Sequence, residues 1–466
     1  MECLVLPWDT VMISYLYMKL TFLGGAGQVT GSNYLLNDGK ASLLIDCGLH
    51  QGTAAEEAEN SQPFRFDIKS IAAVFITHAH IDHIGRVPKL YKDGYRGPIY
   101  STAPTRDVAR ELLLDAQHLM EREGSSEPIY GIEDIDGALS LWRAIPYHQP
   151  MNVGGMTIEL YDAGHILGSA SIKVTQGEVS VVFSGDLGNV PAPLVRDTEY
   201  IQNAQYALVE SAYGNRVHES VAERKMILED LIEDTVAKKG TLLIPAFAME
   251  RTQELLYELS DLVDHGRIPK VPIFIDSPLA IKLTTVYEKY MRDPHFFDAE
   301  ALERLRHGED IFDFKGLRFT LTKEESKEIN DIPPPKVIIA GSGMSNGGRI
   351  LHHEIRYLPD PKSTILIVGY QTEGTLGRAI LDGVSEVTIM GERVPVRCTV
   401  KAIGAYSAHA DQPLLLKWVG SMRSSLKKVF VVQGELDQSE PLAQKIRDDF
   451  AIDATVPRPG TTYELL

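Results

Sequence analysis

The chain has 466 residues, 44% of them hydrophobic, enough for two or three domains with sizeable buried cores. Its formal net charge of −18 excludes a protein that coats nucleic acid by bulk attraction, so any contact with phosphate has to be local. The widely spaced Cys3, Cys47 and Cys398 exclude a disulfide framework or a Cys-based zinc knuckle, and they fit a reducing cytoplasm.

Residues 1–17 read as an N-terminal extension. They carry Glu2 and Asp9, no Lys or Arg and no small-residue cleavage site, so a signal peptide is not expected and no function is assigned to them. No run approaches the roughly eighteen apolar residues of a membrane-spanning helix, and membrane partners are not expected. Met18 immediately precedes a strong strand pattern, Lys19-Leu20-Thr21-Phe22-Leu23. From there to residue 206, short β-rich runs are joined by Gly, Asn and Asp turns, the first part of one domain. Residues 32–36 and 41–46 flank Asn37-Asp38-Gly39-Lys40 as a hairpin, and residues 71–76 form a buried strand that delivers Thr77 into a loop. Residues 156–161, 170–175 and 180–183 repeat that behaviour.

Residues 207–384 change to an alternation of strand and helix, the layout of an α/β sheet. Strands are expected at 207–210, 242–245, 271–275, 337–340 and 365–368, with helices at 221–238 and 251–263. The charged stretch 296–335, ending in Pro333-Pro334-Pro335, reads as a surface excursion rather than core. Residues 385–466 return to β-rich runs, with one helix near 412–422.

The chemistry concentrates at strand ends. Thr77-His78-Ala79-His80-Ile81-Asp82-His83 places three imidazoles and a carboxylate within six positions, the ligand types that zinc takes in hydrolytic sites. Ala163-Gly164-His165-Ile166-Leu167-Gly168-Ser169 and Phe183-Ser184-Gly185-Asp186-Leu187-Gly188 have the same placement. Alone, His165 would read as a satisfied turn histidine and Asp186 as a cap on Gly-rich backbone. Beside the first cluster both become candidate ligands, and their glycines allow the tight turns by which strand ends converge.

His78, His80, Asp82, His83, His165 and Asp186, in this order, resemble the ligand set of the metallo-β-lactamase superfamily. The resemblance implies an αβ/βα sandwich with two zinc ions at one edge. His78, His80 and His165 would hold one ion, Asp82 and His83 the other, with Asp186 bridging. Two metals sharing a hydroxide generate a nucleophile at neutral pH and clamp the oxygens of a displacement at phosphorus.

The second half of the chain narrows the substrate. Val209-Glu210-Ser211-Ala212-Tyr213-Gly214-Asn215-Arg216, Ile244-Pro245-Ala246-Phe247-Ala248, Asp276-Ser277-Pro278-Leu279-Ala280, Gly341-Ser342-Gly343-Met344-Ser345-Asn346-Gly347-Gly348-Arg349, Gly369-Tyr370-Gln371-Thr372-Glu373-Gly374-Thr375 and Ser407-Ala408-His409-Ala410-Asp411 resemble the β-CASP nucleases. That resemblance implies an inserted α/β domain over the metal site and a metal-dependent ribonuclease that acts on single-stranded RNA through a metal-bound hydroxide. Internal cleavage is expected, with 5′-to-3′ exonuclease action left open. Asp82, Glu210 and His409 are the expected catalytic residues, His409 as general acid oriented by the Glu210 carboxylate. The Gly341 to Arg349 segment offers backbone N–H groups ahead of a helix, and Ser342, Arg349, Arg251 and Ser277 are candidates for holding substrate phosphates, or else ordinary caps and turns.

The chain departs from the family pattern at Val431-Val432-Gln433-Gly434-Glu435, where Gln433 stands in place of a metal-binding histidine. An amide oxygen is a weaker zinc ligand than imidazole, so the second ion is expected to bind loosely or to be manganese. Three other readings stay open: a catalytically weakened RNA-binding subunit, a DNA-directed β-CASP nuclease and a small-molecule metallo-hydrolase. The retained cluster favours the enzyme, and the long insert counts against a small substrate. The sequence leaves open a homodimer.

Overall fold

A computed structural model of the chain describes residues 17–122, 128–218, 224–369 and 371–466. The N-terminal extension to residue 16, the expected helix start at 221–223 and Tyr370 lie outside the described residues.

The opening strand, Met18–Gly24, buries Met18, Leu20 and Phe22 completely and exposes Lys19, the two-residue period of a sheet with one face on a core. It belongs to a seven-stranded sheet whose spatial order is Thr462–Leu465, Met18–Gly24, Asn33–Asn37, Ser42–Ile45, Ile71–Phe75, Ile99–Ser101 and Trp142–Ala144. The expected hairpin across residues 37–40 forms, with Asn37 opposite Ser42. A second seven-stranded sheet runs Asp453–Thr455, Lys428–Val432, Tyr206–Glu210, Val179–Phe183, Ala170–Gln176, Met156–Asp162 and Met151–Val153. Phe22 meets Phe430 at 5.2 Å between ring centroids, and Tyr34 meets Phe183 at 6.0 Å, so aromatic pairs join the two inner faces. Helices Ala103–Arg122 and Ile132–Leu141 cover the outer face of the first sheet; Gln412–Gly420 and Leu436–Phe450 cover the second. This is the expected αβ/βα metallo-β-lactamase sandwich.

The inserted α/β domain is built on a parallel six-stranded sheet ordered Leu317–Phe319, Ile273–Ile275, Lys336–Ala340, Thr241–Pro245, Thr364–Val368 and Thr399–Ile403. Its edges differ from the expected 207–384. Strand Tyr206–Glu210 pairs in parallel with both Val179–Phe183 and Lys428–Val432 and so lies inside the second sandwich sheet. Strand Thr399–Ile403 pairs with Thr364–Val368 and closes the insert's sheet beyond residue 385. An all-apolar strand looks alike in either sheet, and only pairing tells them apart. The stretch 296–335 also differs from expectation. Most of its charges face outward, Arg304 being buried, while Phe297, Ala301, Ile311, Phe312 and Ile329 are buried, and its strand Leu317–Phe319 extends the sheet.

Topology brings the site together. Strands Met156–Asp162, Val179–Phe183, Tyr206–Glu210 and Lys428–Val432 all point the same way, so His165, Asp186, Glu210 and Gln433 emerge at one edge of the sandwich. The insert docks beside that edge through helix Pro278–Tyr290, which lies along helix Ala103–Arg122. Tyr290 Oη bonds Asp107 Oδ2 at 2.7 Å, and Lys282 pairs with Glu111 at 3.3 Å.

Close backbone approach fixes the loop that carries the first ligand cluster. A Cβ on Gly48 would lie 1.5 Å from Asp82 O and 2.8 Å from His83 N, both main-chain atoms. Gly48→Ala is therefore expected to cost about 1–3 kcal/mol, read by urea unfolding, because the main chain at Asp82 and His83 has to shift.

Candidate metal centre

The buried end of strand Ser42–Ile45 carries a residue that organises the site. Asp46, with φ 59°, accepts from Ser32 Oγ (3.1 Å), Thr77 N (2.8 Å) and Thr77 Oγ1 (2.9 Å). It also pairs with His83 Nδ1 at 2.7 Å. With Nδ1–H donated to Asp46, His83 presents Nε2 inward as a lone pair. Thr77 Oγ1 stands 3.1 Å from His78 Nδ1, and Ala408 O accepts from His165 Nδ1 at 3.1 Å, which aims the Nε2 atoms of both rings inward as well.

His80 Nδ1 sits 3.1 Å from His78 Nε2 and 3.1 Å from His165 Nε2. Asp186 Oδ2 lies 3.4 Å and 3.6 Å from the same two Nε2 atoms. Burial, with neighbouring histidines adding to it, holds His80 and His165 well below the usual histidine range, so they are neutral. Bare imidazole nitrogens facing one another repel, and a cation among them relieves that repulsion. His78, His80, His165 and Asp186 therefore fit one zinc ion by donor type and by convergence.

The other half of the expected pair is arranged differently. His83 Nε2 lies 3.3 Å from Asp186 Oδ1 and 3.7 Å from Asp82 Oδ2. Gln433 Nε2 reaches into this space, 2.7 Å from Asp186 Oδ1 and 2.9 Å from His83 Nε2.

Glu210 and His409, 199 positions apart, meet next to Asp186: His409 Nδ1 is 3.2 Å from both Glu210 oxygens and 3.9 Å from Asp186 Oδ2. The loop bearing His409 pairs main chain to main chain with the loop bearing Asp186, through Asn189 N to Ala408 O (3.1 Å) and Ala410 N to Leu187 O (2.7 Å). Leu187 N donates to Glu210 Oε1 at 2.7 Å. Burial opposes a charge on His409 but the Glu210 carboxylate prevails, and its pKa is pushed up to about 9.

The four candidates for phosphate binding have internal partners. Arg251 is buried, ion-paired with Glu254 and 5.2 Å over the Tyr406 ring. Arg349 pairs with Asp276 at 2.7 Å and donates to Thr320 O and Leu321 O. Ser277 caps helix Pro278–Tyr290 through Ala280 N, and Ser342 Oγ accepts from Asn346 N. Both guanidinium groups are engaged within the chain, Arg251 by Glu254 and Arg349 by Asp276 and two main-chain carbonyls. Sequence reasoning missed Asp46. Its signal was a carboxylate after the apolar run Leu43-Leu44-Ile45, the strand-end placement used to find Asp186.

A sandwich of this kind with a buried histidine and carboxylate cluster at its edge defines a metal-dependent hydrolase of the metallo-β-lactamase class. Family models described as "Metallo-beta-lactamase superfamily domain", "Beta-Casp domain" and "Zn-dependent metallo-hydrolase RNA specificity domain" match residues 35–191, 252–380 and 393–457. The chain is 40% identical over 420 residues, 90% of its length and 93% of the relative's, to "Ribonuclease TTHA0252" of Thermus thermophilus. It is 30% identical to "Transcription termination factor FttA" of Methanosarcina mazei, covering 94% of this chain and 70% of that one. A solved protein of unknown function from Enterococcus faecalis V583, 12% identical with a TM-score of 0.57 over 96% of this chain and 100% of that one, shares the fold. The chain belongs to the β-CASP family of metallo-β-lactamase-fold hydrolases.

Asp46→Ala would leave His83 Nδ1–H and the Thr77 donors buried without an acceptor, an expected loss of about 3–5 kcal/mol in urea unfolding. A loss below 1 kcal/mol would show that the carboxylate does not anchor this loop.

Proposed function

We propose that the protein hydrolyses phosphodiester bonds of single-stranded RNA in a zinc-dependent reaction. The observation that carries this reading is the Glu210–His409 pair beside the His78, His80, His165 and Asp186 cluster, which puts a proton donor next to an electrophilic centre. RNA as substrate is supported by the RNA specificity domain match at residues 393–457 and by the relative named a ribonuclease. The free Cys47 and Cys398 support a reducing compartment such as the cytoplasm. Among the described residues no helix is long and apolar enough to cross a membrane.

When bound, the metal supplies the Lewis acidity and local positive field that an acidic chain otherwise lacks near phosphate. The chain's own residues orient and move protons. Asp82, at the mouth of the cluster with a fifth of its side chain exposed, accepts and aims the attacking water. Glu210 holds Nδ1 of His409, so the ring offers the proton on Nε2 to the departing ribose oxygen. Burial raises the Glu210 pKa, and its bond from Leu187 N keeps one oxygen fixed while the imidazolium shares the pair.

Incubation of the zinc-loaded or manganese-loaded protein with labelled single-stranded RNA tests the reading. Asp82→Ala and His409→Ala are each expected to lower kcat by about 10²–10⁴-fold. 5′-labelled and internally labelled substrates tell internal cleavage from 5′-to-3′ trimming. With His409 pushed up to about 9, the proton is present at neutral pH and is lost above that value, so kcat should fall on the alkaline side of pH 9. Glu210→Gln removes the raising charge and should shift that fall toward lower pH. The amide at position 433 favours a second reading, a weakened RNA-binding subunit, which RNA binding without cleavage under either metal would establish.

A further inference from the structure

Gln433 does more at this site than fail to be a histidine. Its main chain is clamped: φ is 51°, its N–H donates to Gly25 O at 2.7 Å, and the neighbouring Val432 O accepts from Ser211 Oγ at 2.7 Å. A Cβ on Gly434 would lie 2.3 Å from Ser211 Oγ, and one on Gly25 would lie 3.4 Å from Gln433 Cγ, so the turn has little room to shift. The side chain is buried and points between Asp186 and His83.

Only a donor can sit 2.7 Å from a carboxylate oxygen, so the group facing Asp186 Oδ1 is the amide NH₂. The same nitrogen is 2.9 Å from His83 Nε2, the bare nitrogen of a ring whose single proton, on Nδ1, goes to Asp46. One N–H thus meets Asp186 and the second meets His83. These are the two lone pairs that a cation between Asp186 and His83 would use.

We infer that the Gln433 carboxamide occupies the second metal position, so the protein carries one tightly held metal ion per chain, on His78, His80, His165 and Asp186. The amide nitrogen brings two N–H dipoles where a second cation would bring charge, and it satisfies buried acceptors that would otherwise be costly. For a metal to enter, the side chain would have to break both bonds and offer its weaker oxygen ligand. Asp82, not bonded by the amide, is left to act on water. This inference rests on the metal-centre reading above and sets its stoichiometry.

The test is metal content. The full chain is stripped with chelator, exposed to excess ZnCl₂ or MnCl₂, desalted and assayed by mass spectrometry of the metal, with calorimetric ZnCl₂ titration in parallel. The wild type is expected to retain one equivalent and to titrate as a single tight site. Gln433→His and the near-isosteric Gln433→Glu, which replaces the two N–H donors by an anionic ligand, are each expected to retain two equivalents. The isosteric variant keeps the test valid should the histidine fail to fit. Two equivalents in the wild type would overturn the inference, and so would one equivalent in all three proteins, because the amide would then not be what limits occupancy. No retained metal in any of them would instead sink the metal centre on which the inference rests.

Discussion

One buried carboxylate, Asp186, is the point on which the site converges. His78, His165, His83, His409 and Gln433 all reach it, at distances from 2.7 to 3.9 Å. Taking a carboxylate out of water is expensive, and burial alone would neutralise it. The histidines, His83 and His78 foremost, outweigh that cost and hold its carboxyl well below the usual range. A negative charge kept in a dry place sets what may stand around it: cations, N–H donors and the Nδ1 side of the His409 ring. The two halves of the metal centre differ because these demands are met differently, by convergent imidazoles on one side and by an amide on the other.

That convergence also explains the need for the insert. Asp186 and Glu210 come from adjacent strands of the sandwich, whereas His409 arrives only after the chain has completed a separate six-stranded sheet. The segment delivering it passes Tyr406, whose hydroxyl bonds Glu258; Arg224 pairs with Glu258 at 2.6 Å, and both Arg224 and Arg251 lie over the Tyr406 ring. These buried charges bind the insert's helices to the loop that reaches the active edge. Arg251, a candidate for phosphate in the sequence, is thus part of the buried network beside the segment that carries His409.

Much was legible in the chain alone. The hairpin at residues 37–40, the strand ending at Thr77 and the clustering of His78, His80, Asp82 and His83 depend on spacing over a few residues, and local spacing is what a sequence displays. His165 and Asp186 were singled out by their place after apolar runs, and Glu210 and His409 only by the family resemblance, and nothing local showed that the four meet. The insert's edges were misjudged at both ends because the strands Tyr206–Glu210 and Thr399–Ile403 have no composition that says which sheet they join.

By itself, then, the sequence determined the class of chemistry, the ligand types and the order of the elements, since these follow from residue identity and short-range periodicity. It also displayed the substitution at Gln433 as a missing imidazole. Only the tertiary structure decided what replaces it, an amide whose two N–H groups face Asp186 and His83, across 247 and 350 positions of chain. Only the structure revealed Asp46 as the acceptor that sets the tautomer of His83, and turned Arg251 and Arg349 inward. The physical reason is common to all of these: a hydrogen bond or ion pair depends on where two groups end up in space, and separation along the chain carries no record of that.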